Sequence, residues 1–236
     1  MAKASEVVLA GLPSEVVGMC RRHVGATIVP AALLGACADA LILVGHDLGY
    51  QIALGILLGV AFELYVGYAE LIVVADRAGE RQPASVFLRG ALPLTPPLVA
   101  ASLIAVVVPL AASGLLVLPG LWLLTVWSLF APAIVHERLS PLRSLSRSAR
   151  LVRGAFWPVA FSVTLMVLLE HTAIHATAHV AEPALGSEAL GLLAAAVATG
   201  IVSGPAAFTI SLVYERLVGA HGEHPRQAAP EPQTVA

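Results

Sequence analysis

Charged residues are scarce in this chain. Asp, Glu, Lys and Arg make up 12% of its 236 residues, whereas hydrophobic residues make up 58%. A soluble domain carries about 25% charged residues, so this chain has too little polar surface for a wetted fold. The stretch 91–135 has no charged residue at all, and apolar runs of more than about 18 residues are typical of membrane-spanning helices. We therefore expect an all-α integral membrane protein.

The chain also has few cysteines and a small net charge, and its first residues lack the pattern of a cleavable leader. The two cysteines, Cys20 and Cys37, form no CxxC pair, so we expect reduced packing residues rather than a metal or redox site. A net charge of −2 indicates no nucleic-acid partner. The apolar run 7–12 is short and is followed by no A-x-A site, so the first span is expected to act as an uncleaved signal anchor.

The apolar runs predict six transmembrane helices, each near the ~20 residues that cross the hydrocarbon core. Their expected bounds are 24–45, 51–75, 93–112, 114–135, 157–180 and 188–214. A β-barrel is disfavoured because these runs are too long and lack a period of two. Short amphipathic or basic segments precede the first, third and fifth spans, which predicts a threefold helix–span–span repeat. The membrane domain is expected over residues 1–217, and a disordered cytoplasmic tail over 218–236.

The basic residues predict the orientation. If the N-terminus is cytoplasmic, all 13 Lys and Arg fall in cytoplasmic segments, and the three outer connections contain none. Positive charge collects on the cytoplasmic side of membrane proteins. We therefore expect a multi-pass protein of a bacterial-type inner membrane, with the N- and C-termini in the cytoplasm.

The densest run of positive charge is HERLSPLRSLSRSARLVRGAFWP, residues 136–158. Arginines recur through it at near-helical spacing, at Arg143, Arg147, Arg150 and Arg153. Apolar residues alternate with them, at Leu142, Leu145, Ala149 and Val152. Two faces of one amphipathic helix are indicated, with the four arginines among anionic lipid headgroups at the cytoplasmic face. The alternative is a solvated loop whose arginines only set the topology.

The region 118–158 also carries a set of motifs found together in one family. They are Pro119-Gly120, Trp127-Ser128-Leu129, Pro132, Glu137, Pro141-Leu142 and Ser148 through Trp157, followed near the end by Tyr214-Glu215-Arg216-Leu217. This set resembles the membrane domain associated with glycerophosphoryl diester phosphodiesterases and its stand-alone bacterial inner-membrane relatives. The resemblance implies a multi-helix membrane fold. It implies no enzymatic activity, because the spans leave no room for the catalytic barrel.

Ionisable residues at membrane depth are costly and are therefore candidates for function. Glu63 lies near the middle of the second span, on one stripe with Gly55, Gly59 and Gly67 that should allow close helix packing. Glu70 lies two turns nearer the cytoplasm, where we expect water to reach it. The remaining candidates lie in the first and fifth spans: Asp39, Glu170, His171, His175 and His179.

Matched depths predict that these polar groups meet. Glu63 and Asp39 are expected to face His171 and His175, with His179 at the outer mouth, because carboxylate–imidazole bonds offset the cost of burial. Three interpretations remain open: structural pairs, a proton or ligand path, and a metal site at the i, i+4, i+8 histidine spacing.

No catalytic triad order, phosphate loop or catalytic carboxylate spacing is visible, so we expect neither an enzyme nor a cofactor. The sequence favours a non-enzymatic module that binds membrane lipids or a partner and supports membrane homeostasis. A membrane protein or a second copy of the chain is the candidate partner besides lipid. The alternative is a small transporter or channel that uses the Asp/Glu/His zone, and an intramembrane metalloenzyme ranks third.

Overall fold

The computed structural model describes residues 8–42, 44–45, 47–163, 166, 172 and 186–222. Within these ranges the secondary structure is helical and contains no strand. The helices are α1 Leu12–Arg22, α2 Val24–Ile42, α3 Leu48–Arg77, α4 Ala84–Ala91, α5 Thr95–Leu115, α6 Val117–Trp127, α7 Phe130–Glu137, α8 Pro141–Arg153 and α9 Glu188–Ala220. A 3₁₀ turn, Leu92–Leu94, joins α4 to α5, and residues 156–163 are also helical.

Four helical segments among the described residues are long and apolar enough to cross a membrane. They are Leu48–Arg77, Ala84–Gly114, Val117–Glu137 and Leu193–Ala220. The first two of these contain the second and third expected spans, and the other two cover most of the fourth and sixth. The first expected span contains a shorter apolar helix, Val24–Ala38, and most of the fifth lies outside the described residues. The all-helical prediction is confirmed, while the count of six spans and the threefold repeat stay predictions.

Close packing of α3 against α5 follows the predicted glycine stripe. A β-carbon added at Gly59 would lie 3.0 Å from Val106 Cγ2, and one at Gly67 would lie 2.7 Å from Leu98 Cδ1. Gly55 has nothing within 4 Å. Small residues bring helix backbones together in this way because a larger side chain would hold them apart. The expected close approach is therefore found at two of the three glycines.

The rotation of α8 corrects the interpretation of its arginines. Its buried side contains Leu145, Leu151 and Val152, but also Arg147, which is only 8% exposed. Leu142, predicted to be on the apolar face, is 69% exposed. Arg147 therefore points into the protein, whereas Arg143, Arg150 and Arg153 are exposed. The prediction that all four arginines contact lipid headgroups is wrong for Arg147.

The C-terminal boundary and the cysteines also differ from expectation in detail. Helix α9 continues through Ala220, and Val218 is 1% exposed, so the tail does not begin at residue 218. Residues 223–236 lie outside the described part. Both cysteines are free, as expected, but Cys37 is exposed rather than packed.

Candidate functional site

Three helices join at a partly buried carboxylate at the end of α7. Glu137 Oε1 accepts a hydrogen bond from Arg147 Nε of α8 at 2.8 Å and another from the Tyr214 hydroxyl of α9 at 2.7 Å. The side chains of Arg147 and Glu137 are 9% and 20% exposed. A buried charge is tolerated when it is paired and hydrogen-bonded. Glu137 therefore ties α7, α8 and α9 together.

A second acid–base pair lies beside the first. Glu70 of α3 is fully buried, and its Oε1 is in ion-pair contact with His136 Nε2. Glu70 Oε2 has no hydrogen-bond partner among the described residues. The His136 ring stacks on Tyr214, with centroids 5.4 Å apart. Burial corrects the expectation that water would reach Glu70 at the interface.

The network extends from α3 and α9 to the N-terminal helix. Arg77 donates to Glu215 Oε2 at 3.0 Å and also contacts Glu15 of α1. Arg216 donates to the other Glu15 oxygen at 2.6 Å. Burial alone would raise the pKa of Glu15, but the hydrogen bonds from Arg216 and Arg77 outweigh burial and hold that pKa below its ordinary value. Glu15 is therefore ionised and anchors α1.

The C-terminal end of α1 is held separately. Arg22 Nη2 lies 2.9 Å from Asp76 Oδ2, and His23 Nε2 lies 2.9 Å from Asp76 Oδ1. Asp76 and Arg77 are the last two residues of α3. The end of α3 thus holds α1 at two points about two turns apart.

The network can hold helices together and can store a proton. Two of its contacts join a carboxylate to an imidazole, Glu70 with His136 and Asp76 with His23, and a histidine beside a carboxylate can exchange protons. No cluster of three or more His, Cys, Asp or Glu with metal-binding potential occurs within the ranges that the structure describes. The predicted histidine stripe lies outside those ranges, so this finding does not bear on it.

Glu63 stands apart from the network, two turns from Glu70 on α3. Its Oε2 is buried without a hydrogen-bond partner among the described residues. Gly59 and Gly67, one turn away on either side, both face α5, so Glu63 occupies the same side of α3. The structure does not describe the side chain of Asp39 or the four candidates of the fifth span, Glu170, His171, His175 and His179. Their meeting with Glu63 stays a prediction.

Sequence reasoning missed His136 and Tyr214. His136 follows directly on the uncharged stretch 91–135, and Tyr214 begins a polar triplet in an otherwise apolar helix. The sequence pattern assigns the nearby arginines to lipid headgroups or to topology, and it assigns none of them to a carboxylate within the protein. Charged residues that lie at the same end of several spans need counterions or hydrogen-bond partners there. This requirement could have indicated the polar segments that contain His136 and Tyr214.

Residues of the family resemblance take part in this architecture. Ser148 Oγ accepts from the Leu129 amide at 3.0 Å and donates to the Val126 carbonyl at 2.8 Å. One side chain of α8 thus satisfies backbone groups at the break between α6 and α7. Glu137 and Tyr214 meet as described above. Comparisons with protein families, curated proteins and solved structures found no match to this chain.

Proposed function

We propose that this chain is a non-enzymatic, multi-pass protein of a bacterial-type inner membrane that binds anionic lipid headgroups at its cytoplasmic face. The observation that carries this proposal is the outer side of α8. Arg143, Arg150 and Arg153 are exposed there, next to Leu142 at 69% and Trp157 at 73% exposure. Exposed arginines beside an exposed tryptophan and leucine suit a membrane interface.

The inner side of α8 supports the same assignment. Its buried residues pack against α6 and α7, and Arg147 is paired with Glu137. Packing against α6 and α7 therefore fixes the position of α8, and its opposite face can contact lipid headgroups. Since each basic residue near an anionic surface contributes about 1 kcal/mol, a fixed set of three arginines is a substantial lipid-binding surface.

The orientation and the family resemblance belong to the same proposal. The positive-inside pattern favours cytoplasmic termini, and it then places α8 and the ion-pair network on the cytoplasmic side. The resemblance to the phosphodiesterase-associated membrane domain favours a membrane module without catalysis. A second copy of the chain or another membrane protein is the proposed partner besides lipid.

Lipid enrichment around the purified protein tests the headgroup proposal. The protein is placed in nanodiscs of mixed phosphatidylglycerol and phosphatidylcholine, and the enrichment of phosphatidylglycerol is measured at low and high salt. The triple substitution Arg143→Gln, Arg150→Gln and Arg153→Gln should lower this enrichment, and salt should weaken the wild-type value. The matched triple substitution to Lys keeps the charge and should retain most of it. Equal enrichment in the Gln triple variant and the wild type would refute the proposal.

A small transporter or channel is the second candidate, favoured by the buried Oε2 of Glu63 without a described partner. A carboxyl group at such depth suits transient binding of a proton or a cation. Proton- or substrate-dependent flux into reconstituted vesicles, lost in Glu63→Gln, would support this candidate. Wild-type vesicles that show no flux above the protein-free background would exclude it.

A further inference from the structure

An apolar groove opens between α1, the helical residues 156–163 and α9. Its volume is about 530 Å³, within the range of about 300–1,000 Å³ for small-molecule sites. The side chains that form its walls are mostly hydrocarbon, among them Leu12, Val16, Val17, Phe161, Val202 and Pro205. The groove is separate from the exposed arginines of α8.

The chemistry of the groove excludes polar ligands. Two lining residues carry hydroxyls, and both are satisfied by their own helices: Ser162 donates to the Pro158 carbonyl and Thr209 to the Pro205 carbonyl, each at 2.8 Å. A sugar, nucleotide or amino acid that entered would lose its hydrogen bonds to water without replacement. The occupant that fits these walls is a hydrocarbon chain.

The position of the groove along α9 places it beside lipid tails. Thr209 lies seven residues before Arg216, and Val202 lies seven residues earlier still. At 1.5 Å per residue, the groove therefore begins about 10 Å from the charged end of the helix and extends about 10 Å farther. This stretch belongs to the membrane-spanning candidate Leu193–Ala220, so the groove lies at the depth of the acyl chains in a bilayer.

One basic residue, Arg21, lies one turn along α1 from the groove-lining Val17. Pro13, Val17 and Arg21 follow one another at intervals of four residues and therefore share one side of α1. The first two line the groove. Arg21 is exposed and has no polar partner among the described residues, whereas its neighbour Arg22 is paired with Asp76. A cation is thus available next to a hydrocarbon site.

The geometry points to a specific lipid site: one acyl chain of an anionic phospholipid lies in the groove, and its phosphate lies against Arg21. This inference rests on the proposed lipid-binding function and adds a defined ligand at a second place. Moving a chain from bulk lipid into the groove yields no hydrophobic gain. Selectivity therefore comes from Arg21, and loss of this residue should lower the preference for phosphatidylglycerol about fivefold, the factor for about 1 kcal/mol per basic residue.

Spin-labelled lipids test the site in the full-length protein. Phosphatidylglycerol and phosphatidylcholine, each labelled on an acyl chain, are reconstituted with the protein, and the immobilised fraction is measured by electron paramagnetic resonance. Val17→Trp places bulk in the groove from an exposed position, at 55% exposure, and should remove about one immobilised lipid per protein. Val202→Trp fills the groove from α9 and should do the same. Leu33→Trp, at an exposed apolar position on α2 outside the groove, is the matched control and should change nothing.

The outcomes separate this inference from the proposed function. Arg21→Gln should lower the immobilised phosphatidylglycerol to the level of phosphatidylcholine while one chain stays bound. If both tryptophan variants are folded and keep the wild-type immobilised fraction, the groove holds no lipid and the inference is overturned. The α8 triple variant can still lower enrichment in that case, and the proposed function then stands. If neither set of variants changes lipid binding, both are wrong.

Discussion

The substitution Glu70→Gln should destabilise the protein much more than Glu63→Gln, although each removes one carboxylate from α3. Glu70 is 0% exposed and contacts His136. Glu63 Oε2 is buried and has no hydrogen-bond partner among the described residues. Access of water to Glu70, which the sequence predicts from its position nearer the end of the helix, would instead make Glu70→Gln the milder change.

The magnitude follows from the burial of the pair. Removal of one member of a buried ion pair costs about 3–5 kcal/mol, since the other charge loses its partner. Gln keeps the shape of Glu and one acceptor oxygen, so we expect the low end, about 3 kcal/mol, for Glu70→Gln. Glu63→Gln removes a carboxylate that has no described counterion, and its effect should stay within about 1 kcal/mol of zero.

A double variant separates the charge from the packing. In Glu70→Leu with His136→Phe, both ionisable groups are gone, and the phenyl ring can keep the stack that His136 makes with Tyr214. Replacement of a whole buried pair by apolar residues is often neutral, so the double variant should recover most of the stability lost in Glu70→Gln.

The free energy of unfolding in detergent at pH 7 measures all three variants on one scale. The reasoning is refuted if Glu63→Gln costs as much as Glu70→Gln, or if the double variant stays as unstable as the single one. A large cost at Glu63 would instead support its predicted meeting with His171 and His175.

Three further predictions concern a close helix contact, an ion pair and the topology. Gly200→Ala should lower the thermal midpoint, because the new methyl would lie 2.8 Å from a backbone carbonyl of α2, whereas Gly55→Ala, with nothing within 4 Å, should be neutral or raise it. The pKa of Glu15 is lowered, because its two arginine hydrogen bonds outweigh the effect of burial. Wild type should therefore be more stable than Glu15→Gln at pH 7, and thermal midpoints should show this advantage fading as the pH falls below about 4.5, the ordinary pKa of Glu. In a cysteine-free background, an impermeant thiol reagent should label Gly49→Cys in intact cells and Ser146→Cys only after the membrane is opened; the reverse pattern would invert the topology.

The helices could be predicted from the sequence better than the contacts between them. Length and hydropathy are properties of a single segment, and they identified the apolar segments that form α3, α5, α6–α7 and α9. Pairing depends on how each helix is rotated, which hydropathy does not specify. Arg147 shows the difference: at 100° per residue it lies only about 40° around α8 from Arg143, yet one is buried and the other exposed. Neither could be assigned to Glu137 or to lipid without the positions of α7 and α9.

The ion-pair network also accounts for the position of the groove. Glu15 and Val17 are two residues apart on α1, which places them about 200° apart around the helix. Arg77 and Arg216 hold the Glu15 side of α1, so the opposite side, with Val17, is turned toward the groove. These two arginines make the ion pairs of Glu15 that the structure describes near the first turn of α1, and they set the rotation of that helix. The ion-pair network therefore fixes the orientation of α1, whose Val17 side forms one wall of the groove. Under our inference, a lipid chain contacts this wall.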